Sequence, residues 1–334
     1  MLPFKALPYG YAPGWCFPVI ELSLYVFWMW CALDARRKGR AAMAYLLGGT
    51  AFGVLLETFE VMTGSYTYGR FQVMLWHAPM QVPLWVGCGW GVIMYTARLF
   101  SDAARLPLVA AKALDTLLAL NIDLGIDAVA YRMHMWHWDW TWSTLDPLKA
   151  QWFGIPYGNF VGWITVVFCF SVFSRMFERW LAGRAKAAWR NAFATVLAIA
   201  CSLGVLMGTE MALFPVMNRL GVTSGWRLVL LSAVLIALAA MGWRKRAAAR
   251  VVVEPLAQLL PLWFHGYFFV CLFALGFWRE NAWLTAVTFA NLLVGVAVHV
   301  YPHWSAGRVG SAEAVGAGER AMPRYGNALR GLAD

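Results

Sequence analysis

The chain has 334 residues, 61% of them hydrophobic and only 13% charged, with 20 Trp and a mean hydropathy of +0.59. An ordinary soluble domain carries about 25% charged residues, so the composition excludes one. The net charge of +10 calls for no nucleic-acid partner, because basic loops facing anionic lipid account for it.

Apolar runs long enough to cross roughly 30 Å of hydrocarbon recur along the whole chain. They lie at about 15–34, 41–60, 82–100, 107–130, 157–178, 191–213, 226–243, 255–278 and 281–301. The fold class expected is all-α, a polytopic helical integral membrane protein with about nine transmembrane helices. Eight is the alternative count, because the seventh span is short and the turn at Arg279-Glu280-Asn281 is tight. Residues 1–304 then form a single helical membrane domain, with no soluble domain between spans. The Gly/Ala/Arg-rich stretch 305–334 reads as a disordered cytoplasmic tail. The start lacks a basic region followed by an apolar core and a small-residue cleavage site, so no cleaved signal peptide is expected. The six cysteines fall singly inside apolar spans and read as small core hydrophobes.

Of 27 Lys and Arg, 20 fall in alternate segments, at 36–40, 98–112, 175–190, 244–250 and 308–330. The other seven are Lys5, Arg70, Arg132, Lys149, Arg219, Arg227 and Arg279. This alternation places the N-terminus outside and the C-terminus in the cytoplasm. A bacterial inner membrane is the expected location.

Orientation assigns depth to the polar residues. Glu57 and Glu60 come near the outer end of the second span, and Asn121, Asp123 and Asp127 climb toward the same surface on the fourth. Asn159 and Trp163 open the fifth. Two long outer connections, about 61–81 and 131–156, add Tyr66, Tyr68, His77, Gln81, His134, Trp136, His137, Trp138 and Asp139. A carboxylate in hydrocarbon costs several kcal/mol, so an acidic set at one depth is a candidate site.

Each element also has a plainer reading. Asp123 and Asp127 share a helix face at i,i+4 and could be a structural pair. The Trp/His run 136–142 resembles an interfacial aromatic belt. His134 and His137 are too bare a pair to imply a metal site, and none is expected. Glu21, Glu210 and His265 each stand alone in a span and read as structural. Aromatic walls with buried carboxylic acids nonetheless suit chemistry that protonates an alkene and shelters a carbocation.

At these residues the chain resembles the membrane carotenoid hydratase family, which includes the carotenoid 1,2-hydratases of bacteria and the bisanhydrobacterioruberin hydratases of haloarchaea. The resemblance rests on Leu-Leu-Glu57-Thr, Gly64-x-Tyr66-x-Tyr68, Pro79-Met-x-Val-Pro83-Leu-x-Trp, the Asp123/Asp127 helix, Trp136/Trp138 and Gly154-Ile-Pro-x-x-Asn159-Phe-x-Gly162-Trp163. These motifs cover roughly residues 45–175; from about 190 onward no motif aligns, and the role of 190–304 is unassigned. The resemblance implies addition of water to the terminal 1,2 double bond of an acyclic carotenoid end, without a cofactor. Glu57, Asp123 and Asp127 are the expected catalytic acids. Glu60, Tyr66, Tyr68, Gln81, Trp136, Trp138, Asn159 and Trp163 are expected to hold the substrate and its water. Expected partners are the lipid bilayer, a hydrophobic isoprenoid substrate and, as an open case, other carotenoid enzymes in a complex.

Two other functions fit parts of the pattern. Asn121-x-Asp123-x-x-x-Asp127 echoes half of the Mg²⁺–diphosphate motif of a membrane prenyltransferase. Intramembrane carboxylates also serve proton-coupled transporters.

Overall fold

The computed structural model describes residues 7–140, 146–182, 187–245 and 253–317. Among them, nine membrane-length helical units follow in order. They are α1 (Cys16–Lys38), α2 (Arg40–Thr63), α3 (Leu84–Ala103), α4 (Leu108–Arg132), α5 (Tyr157–Leu181), α6 (Ala187–Gly208) running into α7 (Phe214–Arg219), α8 (Ser224–Lys245), α9 (Pro255–Ala274) and α10 (Ala282–Ala317). The protein is a helical integral membrane protein.

Seven of these units are long and apolar enough to cross a bilayer by composition alone; α3 and α4 are the two left over. The reason is their position. Helix α4 packs against α3, α5, α8, α9 and α10, and α3 against α1, α2, α4 and α9. A helix ringed by other helices meets protein instead of lipid, so α4 buries Lys112, Asp115, Asp123, Asp127 and Arg132. The peripheral helices show the opposite pattern. Leu22 and Val26 on α1, Val229 and Leu230 on α8, and Leu293 and Val294 on α10 all stand exposed.

The two ends of the bundle are held differently. At the basic end, Lys38 pairs with Asp34 at 2.6 Å and with Glu254 at 2.5 Å, joining α1 to the start of α9. Arg98 clamps Glu178 with two bonds of 2.7 and 2.6 Å, and Arg175 bonds Asp102 at 2.9 Å and also Asp115. At the other end, Arg132 is fully buried and grips Glu280 with bonds of 2.8 and 2.6 Å while donating to the carbonyls of Ala128 and Phe153. This arginine ties the 131–156 connection to the α9–α10 corner.

Short strands add to the expected all-α architecture at this second end. Strand β1 (Tyr66–Tyr68) pairs antiparallel with β4 (Trp136–Trp138), and β2 (Met74–Leu75) pairs with β3 (Val82–Pro83). Glu21 of α1 accepts from Tyr25 and from the backbone N–H groups of Gln72 and Val73, which anchors the first connection to the bundle.

Three boundaries differ from expectation. The sixth span continues past 213 to Arg219 through a π-helical turn at Thr209–Leu213. The eighth span, α9, ends at Ala274, and Phe277–Arg279 forms a separate 3₁₀ turn. The ninth, α10, continues to Ala317, into the stretch read as a disordered tail, where alanines favour helix. Residues 318–334 and Trp142 lie outside the described residues.

Candidate functional site

Glu57 sits on the last turns of α2, 4% exposed, with hydrogen-bond donors on three sides. Its Oε2 accepts from the Tyr66 and Tyr68 hydroxyls, the latter at 2.5 Å. Its Oε1 accepts from the Trp90 indole N–H at 2.7 Å. Both tyrosines reach the same atom because residues two apart on a strand share a face. Burial and the Glu57 charge hold both phenols well above the ordinary tyrosine range, so they remain donors.

The strand pairing extends that face. Tyr66 lies opposite Trp138 and Tyr68 opposite Trp136, with ring centroids 4.6 and 6.3 Å apart. All four rings therefore share one side of the β1–β4 ribbon. The middle pair, Thr67 and His137, belongs to the other side. There His137 is hydrogen-bonded to His134 at 2.7 Å, and His134 bonds the Tyr9 carbonyl at 2.8 Å. Burial, and then His134, push the His137 imidazole down to about 4. These histidines fasten the loop, and Trp140, fully buried, does the same by donating to the Gly154 carbonyl at 3.0 Å.

Across from Glu57, Asp123 and Asp127 are i,i+4 on α4, and their carboxyl groups converge on one side chain of α5. The Asn159 amide donates to both, at 3.0 Å to Asp123 and 2.6 Å to Asp127. One amide nitrogen thus holds both carboxyl groups together in the interior of the bundle. Asn159 is delivered by the turn ahead of α5. Gly154 there has φ +101, and a Cβ would stand 2.8 Å from the Pro147 carbonyl and 2.9 Å from the Tyr131 ring. Only glycine fits this turn.

Two cavities adjoin at this point. The first, about 70 Å³, lies between α1, α3, α4 and α9, with Ile20, Leu24, Ile93, Ile126 and Phe268 among its apolar walls and Asp127 and Trp136 on it. The second, about 400 Å³, is bounded by the strand-side ends of α2, α5 and α8 and by the π turn, and carries Glu60, Glu210, Asn218 and Arg227. Glu57, Tyr66, Trp90, Trp138, Asn159 and Trp163 line both.

Ten of the eleven expected site residues thus converge. Glu57, Tyr66, Tyr68, Trp136, Trp138, Asp127, Asn159 and Trp163 line the first cavity, Glu60 the second, and Asp123 shares the Asn159 amide with Asp127. Gln81 does not join them. It is exposed beside β3 and lines neither cavity. Sequence reasoning missed Trp90, whose ring lies tilted against Trp163 with centroids 4.2 Å apart, and it set aside Glu210 and Arg227. His265 is bonded to Asn121 at 2.9 Å, away from both cavities. Among the described residues no group of three or more His, Cys, Asp or Glu is placed to share a metal ion.

The sequence profile of a family described as carotenoid biosynthesis protein matches residues 15–223, more than half of the chain. The chain belongs to that family. The match takes in every residue of both cavities except Arg227 on α8 and Phe264 and Phe268 on α9. It also reaches beyond the motifs at 45–175, through α1 on one side and the π turn on the other. No curated protein and no solved structure matches the chain.

Proposed function

We propose that this carotenoid-biosynthesis protein is a hydratase that adds water to the terminal 1,2 double bond of an acyclic carotenoid end. One observation carries the reading: Glu57, fed by three donors, and Asp127, joined to Asp123 through the Asn159 amide, share an aromatic-walled cavity. Opposite environments for neighbouring acids divide the roles of base and acid.

Asp127, the member of the pair on the cavity wall, donates its proton to the less substituted alkene carbon. The π electrons form the new C–H bond and leave a tertiary cation. Trp90, Trp136, Trp138 and Trp163 offer their π faces to it, each worth up to about 2 kcal/mol when desolvated. Water attacks the cation, the C–O bond forms, and Glu57 takes the released proton. Tyr66 and Tyr68 hold Glu57 in place, and Asn159, bonded to both aspartates, positions the acid. Returning the proton from Glu57 to the pair closes the cycle. The balance is alkene plus water to tertiary alcohol, which is redox-neutral and requires no electron carrier.

The Asn159 amide already occupies lone pairs on both aspartates that an Mg²⁺–diphosphate site would use, which favours the hydratase over the prenyltransferase reading. The test is expression in a host that accumulates lycopene or another acyclic carotene. The extracted pigment should gain the mass of one water, with heavy oxygen entering from labelled water and not from O₂. Label from O₂, or no mass change with stably inserted protein, rejects the proposal.

A further inference from the structure

The larger cavity has a feature the catalytic assignment does not use. Gly158 and Gly162 are one turn apart on α5, flank Asn159 and Trp163, and line only this second cavity. A Cβ built on either glycine would meet nothing within 4 Å. Neither is needed for a positive φ or for close helix packing. Their effect is to leave space where side chains would otherwise project.

The walls of that space are those of a water chamber. Glu60 on α2 and Glu210 on the π turn offer carboxyl oxygens, and Asn218 and Arg227 offer N–H groups. Arg227 is 6% exposed, donates to Asn218 Oδ1 at 2.9 Å and lies over the Phe214 ring, yet its Nε–H has no protein acceptor. A buried donor without an acceptor is costly, and an ordered water is the usual remedy. A cavity of about 400 Å³ exceeds by far the space one water needs, roughly 10–15 Å³ on the same measure. π-Helical turns also recur at functional sites, and this one presents Glu210 to the chamber.

Resting on the hydratase reading, we infer that this cavity is the water chamber of the site, kept open by Gly158 and Gly162. The isoprenoid end occupies the small apolar cavity, where Asp127 protonates it. The nucleophile reaches the cation from the other side of the shared wall formed by Glu57, Asn159, Trp90 and Trp163. Protonation and capture are thereby separated in space: the acid faces one cavity, the water fills the other, and Glu57, common to both, receives the water's proton.

The test uses the full-length protein in membranes supplied with an acyclic carotene in deuterated water. Two products are measured: the alcohol, and deuterium in recovered unhydrated substrate. The latter reports a cation that formed and then lost a proton instead of meeting water. Gly162→Ala and Gly162→Leu, and the same pair at Gly158, fill the chamber in two steps. Hydration should fall in order of added volume, tenfold or more for leucine, while deuterium uptake per enzyme persists or rises. Amounts of inserted protein and its thermal stability in detergent should match the wild type, since the added atoms project into open space. If alcohol and deuterium fall together, the chamber serves the polyene and the inference fails. If the leucine variants hydrate at the wild-type rate, it fails as well. A wild-type protein that yields no alcohol overturns the hydratase reading itself, a distinct outcome.

Discussion

The indole of Trp90 lies directly on Gly53, one helical turn below Glu57 on α2. A Cβ at position 53 would come within 2.5 Å of the Trp90 Cβ and 2.6 Å of its ring. The missing side chain lets α3 approach α2 closely enough for the indole N–H to reach Glu57 Oε1 at 2.7 Å. The same indole lies against Trp163, so one glycine sets both an acidic group and part of the aromatic wall.

Gly53→Ala is therefore expected to push Trp90 off Glu57 and to cost about 1–3 kcal/mol through overpacking. Trp90→Phe separates the two effects, because it keeps a ring on Gly53 and removes the donor. A hydrogen bond to a charged group contributes about 1.5–3 kcal/mol, so stability should fall by a comparable amount while turnover, with Glu57 no longer held, falls by tenfold or more. Pigment conversion per inserted protein and melting in detergent give the two readouts. Unchanged turnover in Trp90→Phe would remove this bond from the mechanism.

The carboxyl pair supports a second expectation. Asp127→Asn removes the acid on the cavity wall and should lower turnover about 10²–10⁴-fold, the usual worth of positioned proton transfer. Asp123→Asn should cost less, because Asp123 lines neither cavity and touches the site through the Asn159 amide. Asn159→Leu deprives both carboxyls of a donor and should reduce both activity and stability. Equal and full activity in both Asp→Asn variants would place the acid elsewhere.

Much of this site was legible because its residues obey short-range periodicities. Asp123 and Asp127 share a helix face by their spacing, as Tyr66 and Tyr68 share a strand face, and the structure uses both relationships, bringing the first pair to Asn159 and the second to Glu57. Trp90 was not legible. It is one of 20 tryptophans, in an apolar run, and only the packing of α3 on Gly53 selects it. Gln81 stands apart for the converse reason. Its proximity to Val82 and Pro83 in sequence placed it near the site, but the loop leaves its side chain exposed. The charged residues of α4 could be placed at one depth from charge alternation, whereas the ring of helices that shields them is a tertiary fact.

The loop carrying Trp136 and Trp138 should be sensitive to acid through the His134–His137 bond. His137 is held at about 4, below the ordinary value near 6.5. The unfolded loop therefore takes up a proton before the folded one, so loop stability is full above about pH 6.5 and declines as pH falls toward 4. Protonating both rings would also replace their hydrogen bond with a repulsion. Limited proteolysis of the 131–156 connection should accelerate between pH 6.5 and 4, and His137→Phe should flatten that dependence. A flat profile in the wild type would exclude these histidines as the fastener.

Orientation is open to direct measurement. Reporter fusions after Arg40, Arg105 and Lys245 should read cytoplasm and one near Thr67 the outside, given 20 of 27 Lys and Arg in the alternate inner segments. A cytoplasmic signal at Thr67 would invert the protein and open the water chamber to the cell interior instead.

Trp138 offers the sharpest test of the cation. It is 9% exposed, packs against Tyr66 and lines both cavities, so it stands where a tertiary cation would form between acid and water. Phenylalanine retains a weaker π face there, whereas leucine retains only bulk. Trp138→Phe should lower turnover a few-fold and Trp138→Leu about 30-fold, the rate equivalent of roughly 2 kcal/mol of desolvated cation–π stabilisation. An aromatic-belt residue would behave differently: Phe and Leu would give similar turnover per molecule, and the change would appear in insertion or stability. Graded turnover at constant insertion therefore assigns Trp138 to the cation, and equal turnover in the two variants removes it from that role.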